Sequence, residues 1–173
     1  MQLESPQPTP SNAGSIGWQR QGVFGWNREK PGASASTPLP TNLTPSQIKI
    51  EWLKCSQSPV YFAQNYVQIY NATLKTWISF GIWPAQQTVL NELAEHQFVV
   101  MLKARQLGMS WLCLAYALWM MVFHPAPNIM LMSKRDEDAT ELLSNRLAGM
   151  HERLPTWMQA RRISRQSAHD FVL

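Results

Sequence analysis

Lys103, Arg105, Gly108 and Ser110 stand within eight residues of one another, in the run Leu102-Lys103-Ala104-Arg105-Gln106-Leu107-Gly108-Met109-Ser110. Each residue type has a use in phosphate chemistry. A lysine ammonium acts as a mobile point charge toward a β- or γ-phosphate. A glycine lets backbone amides come close to the anion. A hydroxyl at a helix start suits a Mg²⁺ ion. A second cation, Arg105, would stabilise charge on a transferred phosphoryl group.

Such a loop works only between a buried strand and a helix, where loop amides and helix N-terminal amides converge. Phe98–Leu102 is an apolar run of strand length, and a run apolar on both faces suits a central parallel strand. Ser110 then opens an apolar helix to Phe123. The usual phosphate loop is G-x-x-x-x-G-K-[ST]. Aligned on Gly108 and Ser110, this one has Lys103 for the first glycine and Met109 for the lysine. On pattern alone, a solvated basic loop is an equally good reading.

The flanking elements extend the same design. Thr44-Pro45-Ser46-Gln47 carries a hydroxyl N-cap, proline at N1 and Gln at N3, a helix start. Ile48, Trp52 and Leu53 follow at helical spacing. Ser58-Pro59 opens a second helix, expected through Tyr70, with Phe62, Tyr66 and Ile69 on one face. Thr76–Phe80 reads as a short strand, and Pro84 starts a helix with Val89, Leu90 and Leu93 inward. After Pro125 and Pro127, Asn128–Met132 reads as a second buried strand. Asp136–His151 is an amphipathic helix with Leu142, Leu143, Leu147 and Met150 inward. Pro155–Gln159 adds a helical turn, and Phe171–Leu173 begins a third strand. Strand, loop, helix, strand, helix, strand predicts an α/β layer fold with parallel strands and right-handed crossovers.

Composition sets bounds on the rest. The chain has 173 residues, with 15 Lys+Arg, 11 Asp+Glu and two cysteines, Cys55 and Cys113. Two cysteines exclude a disulfide scaffold. Residues 1–44 are rich in Pro, Gly, Ser and Thr and are expected to be a disordered tail, because they cannot bury enough apolar surface to offset ordering. Trp18, Phe24 and Trp26 are the exceptions in it, either a short docking motif or scattered aromatics. The ordered domain is expected over residues 45–173. Met1–Pro10 has no basic or apolar leader character, so a cytoplasmic setting is the expectation. Trp111–Phe123 is an unbroken apolar run of 13 residues. That is short of the ~20 residues a spanning helix needs and reads as a core helix.

Lys103-Ala-Arg105-Gln106-Leu-Gly108-Met-Ser110 resembles the variant Walker A loop of large terminase subunits, the DNA-packaging ATPases of tailed phages. There the lysine stands at the front of the loop in part of the family. Pro59–Phe62 and Tyr66–Tyr70 resemble that family's helical lead-in. Ile82-Trp83-Pro84-Ala85-Gln86 resembles its adenine-recognition motif. Asn128–Met150 resembles its next strand and helix, and Leu154-Pro155 a feature beyond them. The resemblance covers residues 55–173. It implies a P-loop NTPase-like three-layer fold with a mainly parallel sheet, incomplete here, preceded by helices and the tail. It further implies ATP and Mg²⁺ as cofactors. Gln86 would read adenine and Lys103 would contact the β/γ-phosphates. Arg105 would serve catalysis at the γ-phosphate. Ala104, Gln106, Leu107, Gly108 and Met109 would complete the ATP cradle, and Ser110 would bind Mg²⁺. The implied partners are double-stranded viral DNA, a portal protein, a small terminase subunit and further copies in a ring, with no membrane.

Turnover needs acids as well. The family carries four apolar residues followed by Asp-Glu, and no such motif occurs. Asp136-Glu137-Asp138 follows Ile129–Met132 only after Ser133, Lys134 and Arg135, and suits a helix N-terminus instead. The expectation is therefore the opening part of a terminase, stopped before its Walker B and nuclease acids. The alternative is an inactive prophage remnant serving as a binding module. Arg146 is either a solvated helix arginine or a finger toward a neighbouring subunit. Arg153, Arg161, Arg162 and Arg165 are either a DNA-steering patch or a solvated connection.

Overall fold

The computed structural model describes residues 43–125, 127–159 and 169–173, together with the backbone of residues 165 and 166. The expectations for the tail, including Trp18, Phe24 and Trp26, lie outside the described residues. So do those for Arg161 and Arg162 and for the Arg165 side chain.

The helix starts follow the local chemistry. Helix α1 spans Pro45–Gln57, and Thr44 and Gln47 form a capping box ahead of it. Helix α2 spans Pro59–Tyr66 and is capped by the Ser58 side chain. It stops four residues short of the expected Tyr70. Val67 turns extended, and Gln68–Asn71 forms β1, antiparallel to β2, Thr76–Ser79. The Asn71 side chain makes the turn by accepting from the N–H groups of Thr73 and Leu74 at 2.9 and 3.0 Å. Ile69 then pairs across from Ile78 and Tyr70 from Trp77, which a continuing helix would forgo.

Helix α3 covers Pro84–Glu95, and α4 covers Met109–Phe123. The helix expected over 136–151 runs as α5, Asp136–Glu141, a π-helical stretch Leu142–Leu147, and α6, Ala148–Glu152. Leu147 and Met150 are buried on it as expected, with Leu142 and Leu143 half-buried. Asp136, Glu137 and Asp138 occupy the first turn of α5, where carboxylates complement the helix dipole.

The core gathers around α4. Phe62, Leu90, Leu112, Leu118, Leu147 and Met150 are fully buried together. The indole N–H of Trp119 donates to the Cys55 carbonyl at 2.7 Å, fastening α4 to α1. Phe123 meets Trp52 and Phe62 edge-on at 4.8 and 5.4 Å. The 15 residues of α4 are a core helix. No helix among the described residues is long and apolar enough to cross a membrane.

The sheet departs from expectation. Both paired strand sets are antiparallel: β1 with β2, and β3, Arg165–Gln166, with β4, Phe171–Val172. The strand expected at 171 is present, but its partner is β3. No parallel pair occurs among the described residues. Residues 98–102 and 128–132 belong to no sheet there. Along each, exposed and half-buried side chains alternate, leaving Phe98, Val100, Leu102, Met130 and Met132 open. Among the described residues no layer covers the open face and no flanking strand completes a backbone ladder. A cavity of about 700 Å³, floored by Thr140, Leu143 and Leu147, lies between residues 127–131 and 171–173.

Candidate phosphate-binding loop

The loop of interest joins residues 98–102 to α4. Gln106 (φ 62°) and Gly108 (φ 69°) are both left-handed. Gly108 is the N-cap of α4, and no side chain caps the helix there. The first hydrogen bond of α4 runs from the Leu112 N–H to the Gly108 carbonyl at 3.1 Å. The N–H groups of Gly108, Met109, Ser110 and Trp111 therefore meet no acceptor among the described residues, as at any uncapped helix start. These donors sit at the positive end of the dipole of a 15-residue helix.

Two cations precede this end in the loop. Lys103, Ala104, Arg105, Gln106 and Ser110 are exposed, while Leu107, Gly108 and Met109 are half-buried. Lys103 and Arg105 have no ion pair among the described residues. Burial pushes the Cys113 thiol above its usual range, and the Lys103 ammonium partly opposes this. Met109 packs against the core and so anchors the loop exit.

Gln86 is 5% exposed. Its Oε1 accepts from the Trp83 N–H at 3.0 Å, and its Nε2 donates to the Leu107 carbonyl at 2.9 Å. A Cβ placed on Gly108 would lie 3.1 Å from that Nε2. The structure thus brings Gln86, Leu107 and Gly108 together, with Lys103, Ala104, Arg105, Gln106 and Ser110 on the open side.

A second cluster, unforeseen from sequence, borders the loop. Trp111, next to Ser110, meets Trp77 of the hairpin edge-on at 5.9 Å. The Arg146 guanidinium lies 5.2 Å from the Trp111 ring centre and donates to the Glu141 carboxylate at 2.8 Å. Arg146 is thus engaged within its own chain. The Arg153 guanidinium lies 4.0 Å over Trp77 and donates to the Gly149 carbonyl at 2.8 Å. Arg153 accordingly packs on Trp77. Arg146 and Arg153 stand out in the sequence singly, but nothing local links residues 77, 111, 146 and 153 into one cluster.

Among the described residues no group of three or more His, Cys, Asp or Glu side chains gathers where it could hold a metal ion. No protein-family model matches the chain, and no curated protein matches it at significant similarity.

Proposed function

We propose that the loop 103–110 binds the phosphates of ATP and that the chain is the nucleotide-binding, N-terminal part of a terminase-like packaging ATPase. The observation that carries this is the conformation at the loop exit. Left-handed Gln106 and Gly108 lead into an uncapped 15-residue helix, with Lys103 and Arg105 exposed beside it. Amides without acceptors at a helix start, the helix dipole and two exposed cations are the elements from which phosphate sites are built. Lys103 would reach the β/γ-phosphates, Arg105 would steady γ-phosphate charge, and Gln106–Met109 would supply amides. The exposed hydroxyl of Ser110, at the second residue of α4, would offer one ligand to a Mg²⁺ ion accompanying ATP. In this reading residues 98–102 and 128–132 would be strands of a three-layer parallel sheet, a pairing they do not make among the described residues. The setting is a host cytoplasm, and the partners are viral DNA, a portal protein, a small subunit and a ring of copies.

The reading is tested by calorimetric titration of ATP with Mg²⁺. Lys103→Ala and Ser110→Ala should each weaken binding about tenfold or more, the scale of losing a charged hydrogen bond. Unchanged affinity in both variants would remove the phosphate-loop assignment.

A second reading, a binding module without turnover, is favoured by the open apolar side chains of Phe98, Val100, Leu102, Met130 and Met132. Such a face is usual for surfaces that meet another polypeptide. Magnesium-dependent ATP hydrolysis that is lost on Lys103→Ala would exclude it.

A further inference from the structure

We infer that Gln86 is a positioning residue for the phosphate loop and does not read the nucleobase. The inference rests on the phosphate-loop reading and concerns how that site tells ligands apart. A side chain that reads a base must present its amide edge to an open site. Gln86 is 5% exposed, and both ends of its amide are already engaged, one on Trp83 and one on Leu107. The Trp83 bond is local, three residues back at the start of α3. The Leu107 bond spans 21 residues and is the informative one.

Its consequence follows from peptide geometry. In a planar trans peptide the carbonyl and the following N–H point in opposite directions. By holding the Leu107 carbonyl, Gln86 therefore aims the Gly108 N–H the other way, toward the side where no acceptor meets it among the described residues. The same bond braces the loop between two left-handed residues, Gln106 and Gly108. Gly108 is required twice here. Its φ of 69° is costly for other residues, and a Cβ would crowd the Gln86 Nε2 at 3.1 Å. Gln86 thus sets the direction of one phosphate-facing donor and is shielded from whatever base is attached. Selectivity at this site would then rest on the polyphosphate, and the nucleobase would contribute little through Gln86.

The test uses the whole chain with three probes: Mg-ATP, Mg-GTP and inorganic tripolyphosphate with Mg²⁺. Calorimetry on wild type, Gln86→Ala, Gln86→Glu and Lys103→Ala is paired with hydrogen exchange of the unliganded proteins. Gln86→Glu keeps the side-chain size and the acceptor for the Trp83 N–H but sets a carboxylate oxygen against the Leu107 carbonyl. The charge it adds repels every anionic probe, so Gln86→Ala is the neutral comparison. Loop exchange in the unliganded protein reads the lost bond free of that repulsion. Both Gln86 variants should weaken all three probes by the same factor, about tenfold. They should also speed exchange across residues 103–109 while leaving 112–122 unchanged. Loss confined to ATP, with GTP and tripolyphosphate unaffected, would make Gln86 a base reader and overturn the inference. Unchanged loop exchange would overturn it as well. Failure of the underlying reading looks different: wild type would bind none of the probes, or Lys103→Ala would bind all three as wild type does, whatever the exchange shows.

Discussion

Gly149 leaves the space that Trp77 occupies. A Cβ at residue 149 would stand 2.5 Å from the Trp77 Cη2, far inside contact distance. Trp77 belongs to the hairpin and Gly149 to α6, so this one missing methyl lets the hairpin seat on the helix. The Arg153 guanidinium lies over the same ring at 4.0 Å, and Trp111 meets Trp77 edge-on. Gly149→Ala should destabilise the fold by about 1–3 kcal/mol through overpacking. That is opposite in sign to what an alanine in an open helix position does. Urea unfolding followed by tryptophan fluorescence measures it. Adding Trp77→Leu to Gly149→Ala should restore part of the loss, because the collision partner is gone.

Glu51 joins α1 to α2. Its carboxylate accepts from the hydroxyls of Tyr61 and Tyr66 at 2.8 and 2.9 Å and from the Lys54 ammonium at 2.7 Å. Burial alone would raise its pKa, but these donors together hold it below the usual 4.5. A carboxyl depressed in the folded state contributes stability that is present above its unfolded value and lost as pH falls through the folded one. Stability should therefore decline below pH 4.5 through Glu51. Glu51→Gln should flatten that limb and cost about 1 kcal/mol at neutral pH. The tyrosines titrate in the opposite sense. Burial, then the bond to Glu51, pushes Tyr61 from 10 up to about 12 and raises Tyr66 as well. Their contribution is complete below pH 10 and fades as pH rises through the folded values. Denaturant midpoints across pH, compared with Tyr61→Phe, check both limbs.

His151 adds a separate limb nearer neutrality. It is 4% exposed, lies edge-on to Phe171 at 5.6 Å, and its Nε2 has no hydrogen-bond partner among the described residues. Burial lowers its pKa below 6.5, against a smaller opposing pull from Glu152. The unfolded chain thus takes up a proton first as pH falls past 6.5, and stability falls with it. His151→Phe should leave stability nearly unchanged or raised at pH 5 relative to wild type, with a smaller gain at pH 8. Thermal midpoints at the two pH values decide this. A larger gain at pH 8 than at pH 5 would refute it.

The pattern of success across the sequence follows the range of the interactions involved. Thr44–Gln47, Ser58-Pro59 and Pro84 mark helix starts because a cap is made within three or four residues. The β1–β2 hairpin was hidden because Phe62, Tyr66 and Ile69 keep helical spacing past the true end of α2. What ends the helix is the Asn71 turn and the pairing of Ile69 with Ile78. Residues 98–102 and 128–132 were legible as extended and apolar, but pairing depends on neighbours that their own periodicity cannot name. At the candidate site, Lys103–Ser110 was visible as a cluster of residue types. The Gln86–Leu107 bond and the stack of Trp77, Trp111, Arg146 and Arg153 arise only when distant segments meet.

Those two extended segments carry the last prediction. Val100 is 97% exposed and Leu102 fully so, with Phe98, Met130 and Met132 nearly as open. Soluble monomers rarely leave so many large apolar side chains uncovered. Extended backbone that pairs with no strand among the described residues is a template for further pairing. The isolated chain should therefore self-associate as concentration rises, measured by light scattering after size-exclusion chromatography. Val100→Lys with Met132→Lys should reduce that association. The folded chain should lose no more than ~0.5 kcal/mol, because neither side chain is buried in it. A loss of several kcal/mol, or association unchanged in the double variant, would refute this.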